Sequence, residues 1–216
     1  MSDVEIESYH ATRLAHDARR TILWRTLVES HFARLIPSDG CVLELGCGHC
    51  DFINHVSARR RVAVDMWPGF PAYAAPGIET VVAAAGELEF LEDRSVDFAF
   101  ASNLFEHLHQ ADFAAVLAML RQKLSAGGTL NIVQPNYRYC STEYFDDYTH
   151  VAVWSHVSLA DFLSAHGFNP IEIVPRFLPL TIKSRLPVSA AMIRAYLASP
   201  FKPMGKQMLV RARVRK

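Results

Sequence analysis

Two carboxylates and two glycines, spread over twenty-two residues, are the part of this chain best suited to holding a ligand. Val42-Leu43-Glu44-Leu45 reads as a short strand, and Gly46-Cys47-Gly48 then turns the backbone toward a helix. Glycine lacks a Cβ and tolerates unusual dihedrals, so a ligand can lie against the main chain there. A second apolar run, Arg61-Val62-Ala63-Val64-Asp65, ends in an acid 17 residues after Gly48. Glycines beneath a ligand and a carboxylate for its ribose hydroxyls suggest a nucleotide-type cofactor. Asp51 stands where nicotinamide binding needs a third glycine, so that cofactor is disfavoured.

Other groups compete for a chemical role. Cys47-Gly48-His49-Cys50 has the spacing of a thiol–disulfide exchange motif opening a helix. Such redox folds need neither Glu44 nor Asp65, nor the strand–helix series that follows. Proton-moving groups fall in two segments, Asn103-Leu104-Phe105-Glu106-His107-Leu108-His109 and Asn136 to His150. A metal set of His107, His109, Asp146, Asp147 and His150 can be written down. However, His107 and His109 would point oppositely on a strand and about 200° apart on a helix. No tight Cys/His spacing supports zinc, and no metal is expected.

Four segments together resemble the class I S-adenosylmethionine-dependent methyltransferase family, in a type 11/12-like form. Glu44-Leu45-Gly46-Cys47-Gly48 fits its Glu/Asp-x-Gly-x-Gly loop, and Asp65 fits the acid ending its second strand. Ser95 to Leu108 is similar to its fourth strand and following loop, and Leu124 to Pro135 to its fifth strand. The resemblance covers roughly residues 40–175. It implies a Rossmann-like, doubly wound α/β fold: seven strands in the order 3-2-1-4-5-7-6, the last antiparallel, with helices on both faces. It implies S-adenosylmethionine as cofactor, with Glu44, Gly46, Cys47 and Gly48 in the binding loop and Asp65 on the ribose. Met66 would sit by the adenine, Ala85, Gly86 and Glu87 around its edge, and Asn103 at the methionine end. Alanine replaces the acid that many relatives place near the end of strand three, and Cys50 replaces a small loop residue. Relatives often lay an N-terminal helix over the cofactor, where Tyr9 or Arg13 could meet its carboxylate.

The elements that must position these groups read as alternating strands and helices, the pattern of a mostly parallel sheet. A helical region spans about Glu7 to Leu35. Strands follow near 41–45, 61–65, 78–83, 96–102, 129–134, 171–174 and 207–214. Phe113, Val116, Leu117, Leu120 and Leu124 recur at helical spacing. Ser158-Leu159-Ala160-Asp161 resembles a capping box, and Gly167 stops that helix. One domain over 1–216 is expected: a helical cap (1–39), the cofactor core (40–175) and a basic C-terminal part (176–216) whose insertion, 179–206, holds four prolines. That insertion would cap the acceptor, form a dimer surface, touch a membrane, or pack as a short helix.

Half of the residues are apolar and 20% are charged, as in ordinary globular proteins. The acidic start is no signal peptide, and four cysteines make no disulfide framework. The expectation is a cytoplasmic protein with reduced thiols, monomeric or homodimeric. Ten of the 22 Lys and Arg residues lie from Pro175 onward, where there is no acid. That polarity suits an anionic surface, a peripheral membrane contact included, or simply neutralises an acidic body. Without a nucleic-acid module, nucleic acid ranks last among partners.

Methyl transfer from a sulfonium needs an aligned nucleophile and, for a hydroxyl, a base. His107 and the segment Asp147-Tyr148-Thr149-His150 supply the candidate catalytic residues His107, Asp147 and His150. The latter segment resembles the Asp-x-Thr-His of methyltransferases found with glycan biosynthesis enzymes. It implies a small-molecule acceptor: a sugar, a glycan precursor or a lipid-linked form. The alternative is a catalytically degenerate scaffold of the same fold, with thiol redox chemistry behind it.

Overall fold

The computed structural model describes residues 17–180 and 189–215. Seven strands form one sheet: β1 (Cys41–Leu45), β2 (Arg60–Asp65), β3 (Glu79–Val82), β4 (Val96–Ser102), β5 (Leu124–Pro135), β6 (Phe168–Pro179) and β7 (Gly205–Val214). Their order is β3-β2-β1-β4-β5-β7-β6. The pairs are parallel except those of β7, which runs antiparallel to β5 and β6. The helices are α1 (Ala18–Leu27), α2 (Gln110–Lys123), the single turn α3 (Tyr137–Cys140), α4 (His156–Ala165) and α5 (Ala190–Ala198). This is the Rossmann-like arrangement implied by the sequence.

Every residue of β1 is buried, as a central strand covered on both faces requires. Alternation along the strands then assigns side chains to two cores. Leu43, Val62, Ala99 and Leu130 join Phe113, Leu117 and Leu120 of α2 and Leu159 and Leu163 of α4. On the other face Val42, Phe98, Phe100 and Val133 meet Trp24 and Leu27 of α1, with Phe32, Phe52 and Phe177. Phe52 stacks on Phe100 with ring centroids 3.8 Å apart. Ile193 and Leu197 of α5 pack against this second core, and Arg194 pairs with Glu29 at 3.3 Å.

Three local expectations differ from the structure. The glycine loop does not open a regular helix: it continues as turns into a single 3₁₀ turn, Ile53–His55. The reason lies in how the loop's backbone is turned and bonded. Cys50 sits at φ 56°, and the Ile53 N–H goes to the Glu44 carboxylate at 3.0 Å instead of to a preceding carbonyl. The first helix is not uniform either. After α1 the chain widens to a π turn at Val28–Phe32 and tightens to a 3₁₀ turn at Ala33–Leu35. Its expected first residues, from Glu7 to His16, lie outside the described residues. Lastly, α4 is capped by Ser155, not Ser158. Ser155 Oγ accepts the Ser158 N–H at 3.1 Å and Ser158 Oγ accepts the Ser155 N–H at 2.9 Å. The box is therefore Ser-x-x-Ser, one turn earlier than expected.

Candidate active site

Open α/β sheets bind ligands at the carboxyl ends of their strands, and four such ends converge here. After β1, Gly46 and Gly48 take φ values of 63° and 49°, a region that side chains rarely adopt. Both the Gly46 and Cys47 N–H groups donate to the carbonyl of Val64, at 2.9 and 3.2 Å. The loop is thereby fastened over the end of β2. Asp65 completes the fastening: Oδ2 accepts the Gly48 N–H at 2.7 Å and Oδ1 accepts the Trp67 N–H at 2.8 Å. Each carboxylate oxygen has further acceptor capacity, which leaves Asp65 able to receive two vicinal hydroxyls. Arg20 of α1 reaches the same loop and pairs with the buried Asp51 at 2.6 Å.

The other predicted cofactor residues divide in two. Met66 is exposed beside Asp65, and Asn103, also exposed, takes a left-handed φ of 50° as β4 ends. Asn103 donates its N–H to Val133 O at 2.8 Å, and its Oδ1 accepts from Gln207 at 3.3 Å. Ala85 and Gly86 lie half-buried at the rim after β3, where Glu87 accepts the Ala84 N–H at 3.0 Å and shapes the turn. Glu44 lies behind the loop. Its carboxyl is buried, its pKa is raised by that burial, and it holds the Ile53 N–H. Tyr9 and Arg13 lie outside the described residues.

The thiols of Cys47 and Cys50 lie 3.9 Å apart and buried. Burial, then the Cys50 hydrogen bond, pushes the Cys47 thiol up, the opposite of what a reactive thiolate needs.

Leu104 connects the glycine loop to a second cluster, since a Cβ on Gly46 would stand 3.0 Å from Leu104 Cδ1. Directly after Leu104, the 3₁₀ turn Phe105–His107 is sewn to the loop after β5. Glu106 O accepts the Val151 and Ala152 N–H groups at 2.9 and 3.1 Å, and Trp154 Nε1 donates to Phe105 O at 3.1 Å. Tyr144 hydroxyl donates to Ala152 O at 2.6 Å. These bonds bring together the predicted His107, Asp147 and His150. Thr149 donates its N–H and its hydroxyl to Asp147 Oδ1, at 3.1 and 2.6 Å, and its Oγ1 lies 2.9 Å from His107 Nδ1. His150 Nδ1 donates to Tyr144 O at 2.6 Å, and the His107 and His150 rings lie 4.8 Å apart.

Electrostatics keep the cluster's imidazole and carboxyl neutral at its centre. Burial, then the adjacent His150, lowers the His107 pKa to about 4. Burial raises Glu106 to about 8. Asp147 moves the other way: burial would raise it, but the two Thr149 hydrogen bonds outweigh that and hold it below the usual range.

Glu106, Thr149 and Tyr144 also belong to this cluster, within the two segments singled out in the sequence but not among its catalytic candidates. For Glu106 a signal was present: an acid next to a histidine, set between apolar residues just after a strand. His109 and Asp146 stay at its edge, both exposed, His109 as the residue preceding α2.

With the loops in place, the class of protein is defined. A family model described as a methyltransferase domain matches residues 14–173. The chain belongs to the class I S-adenosylmethionine-dependent methyltransferase family, and its cofactor is S-adenosylmethionine. It is similar to a chain of the complex between the Haloferax volcanii Trm112 methyltransferase activator and a methyltransferase, at 16% identity, 92% coverage of both chains and TM-score 0.67. A SAM-dependent methyltransferase from Archaeoglobus fulgidus shares 22% identity over 87% of this chain and 93% of its own, with TM-score 0.63. The Burkholderia thailandensis 1,6-didemethyltoxoflavin-N1-methyltransferase, solved with 1,6-didemethyltoxoflavin and S-adenosylhomocysteine, shares 18% over 99% and 87%, with TM-score 0.65. At these identities the likeness is one of fold. No curated protein matches the chain. Among the described residues, no helix is long and apolar enough to cross a membrane.

Proposed function

We propose that the protein transfers the methyl group of S-adenosylmethionine to a hydroxyl of a small-molecule acceptor, with a sugar or glycan precursor as the first class to test. One observation carries this reading: two histidines with fixed tautomers stand beside the turn that packs on the glycine loop. Carbonyl oxygen only accepts, so His150 donates Nδ1–H to Tyr144 and keeps its lone pair on Nε2. The Thr149 hydroxyl gives its hydrogen to Asp147, so His107 likewise donates from Nδ1. Asp147 acts through Thr149 as a positioning residue. When bound, S-adenosylmethionine supplies an electrophilic methyl group on a sulfonium. Gly46, Gly48 and Asp65 hold the cofactor body, and Asn103 borders its methionine end. One of the two imidazoles, His107 or His150, would then take the single hydroxyl proton as the acceptor oxygen bonds to the methyl carbon and the methyl–sulfur bond breaks, leaving a neutral thioether. A sugar suits the loop after β5, whose exposed Tyr148 offers a stacking surface next to Asp147.

The test is calorimetric titration with S-adenosylmethionine and S-adenosylhomocysteine on the wild type and Asp65→Ala, followed by radiolabelled methyl transfer to hydroxylated, amine and carbon acceptors. Micromolar binding lost in the variant, with transfer to hydroxyls, supports the reading. Transfer only to amines or carbon acceptors would refute the hydroxyl assignment.

A further inference from the structure

The Asn103 amide has an accepting end and a donating end of nearly the same shape. Half a turn exchanges Oδ1 and Nδ2 in almost the same space, so hydrogen-bond partners alone decide which end points where. The backbone beneath it is already set, with φ at 50° and the N–H given to Val133 O at 2.8 Å. The amide itself is set by Gln207.

β7 runs antiparallel to β5, so its first residues stand at the same end of the sheet as the carboxyl ends of the parallel strands. Gln207 sits there between Pro135 of β5 and Leu178 of β6, and it is only 8% exposed. Its Nε2 lies 3.4 Å from Leu180 O and 3.3 Å from Asn103 Oδ1. A carbonyl only accepts, so Leu180 selects the nitrogen end of the Gln207 amide. That nitrogen has two hydrogens. The second meets Asn103, which answers with its oxygen. Orientation thus passes from the Leu180 carbonyl to Gln207 and from Gln207 to Asn103. Asn103 Nδ2 is left on the side of Ser102, whose Oγ accepts one of its two hydrogens at 3.3 Å.

We infer that Gln207 is a positioning residue for S-adenosylmethionine: it holds Asn103 with Nδ2, and not Oδ1, available to the methionine end of the cofactor. That end carries a carboxylate, which only accepts. A reversed Asn103 amide would set oxygen against oxygen there. The inference rests on the proposed placement of Asn103 beside the methionine end. One nitrogen shared between two acceptors stands a little far from each, so the expected effect is modest.

Calorimetry on the whole chain with two ligands tests it. S-adenosylhomocysteine has the amino-acid end, and 5′-methylthioadenosine keeps the nucleoside but lacks that end. Gln207→Met fills the same space and removes the donor. It should weaken S-adenosylhomocysteine about 10-fold, the size of one lost hydrogen bond. Gln207→Glu, whose ionised carboxylate only accepts, draws Nδ2 toward itself and should weaken it further. Both variants should bind 5′-methylthioadenosine as the wild type does. In an Asn103→Ala background, Gln207→Met should have no further effect on S-adenosylhomocysteine. Equal weakening of the two ligands would mean that Gln207 supports the sheet and not the amide, and would overturn the inference. Unchanged S-adenosylhomocysteine affinity in both variants would overturn it too. A wild type that binds neither ligand would overturn the methyl-transfer reading and this inference with it, whereas the two preceding outcomes overturn the inference alone.

Discussion

His107 and Thr149 meet through a hydrogen bond whose direction is fixed by a third group. Thr149 Oγ1 lies 2.9 Å from His107 Nδ1 and gives its own hydrogen to Asp147 at 2.6 Å. The ring is therefore the donor, and its lone pair is turned away from Thr149. Thr149→Val keeps the shape and removes the link. Nitrogen-15 NMR of the imidazoles should then show His107 losing its single Nδ1–H tautomer while His150 keeps its own. Methyl transfer should fall by up to about 100-fold with cofactor affinity unchanged. An unaltered tautomer in the variant would mean that Thr149 does not position the ring.

Asp65 ties two backbone amides and is proposed to bind the ribose, so its substitution should act on both stability and affinity. Asp65→Asn replaces an acceptor with a donor facing an N–H. Urea unfolding should show a loss of about 1–3 kcal/mol. Calorimetry should show S-adenosylmethionine binding about 10–100-fold weaker, the size of a lost hydrogen bond to a charged group. A variant that is destabilised yet binds normally would leave Asp65 a purely structural role.

Gly46 has two reasons to be glycine, its φ of 63° and the Leu104 methyl 3.0 Å from any added Cβ. Gly46→Ala should cost about 1–3 kcal/mol in thermal or urea unfolding. The double variant Gly46→Ala/Leu104→Ala should recover the crowding part and leave the backbone part. Equal losses in the single and double variants would refute the steric contribution.

The four thiols are buried, and this gives a pH dependence with a definite sign. Burial lifts Cys140 from 9.0 to about 11 and also raises Cys41 and Cys47. A thiol whose folded pKa is raised stabilises the fold fully below its unfolded value and loses that contribution as pH climbs through the folded one. Stability should therefore fall between about pH 9 and 11, by about 2 kcal/mol for Cys140 alone, and Cys140→Ala should flatten that slope. A thiol-reactive dye at pH 8 should label the native chain slowly and all four cysteines only after denaturation. Rapid native labelling of Cys47 would revive the thiol-exchange reading.

How much of this was legible in the sequence depended on whether a feature was carried by neighbours in the chain. The strands β1, β2 and β4 declare themselves because their apolar residues are consecutive, as burial on both faces demands. The glycine loop and Asp65 are equally local. Edges were harder: β6 runs from Phe168 to Pro179, well beyond 171–174, because exposed residues alternate along it and its three prolines hide the pattern. The missing helix after the glycine loop depended on Glu44 taking the Ile53 N–H, a bond between residues nine positions apart. The histidine cluster was visible only in halves. His107 and His150 each carried a signal, but nothing in the chain says that Glu106 O would receive both Val151 and Ala152 and draw the two loops together.

The place of β7 between β5 and β6 sets a timetable for synthesis. Residues of β6 leave the ribosome before those of β7, and 25 residues, 180–204, separate them. At about 5–20 residues per second, β6 waits about one to five seconds for the strand it pairs with. During that interval β5 also has one edge open, and it carries Leu130 and Ile132 of one core and Val133 of the other. An unpaired apolar edge of that kind invites the wrong partner. A nascent chain stalled before Gly205 is thus the form of this protein that should engage chaperones most strongly, and release of β7 should end that engagement.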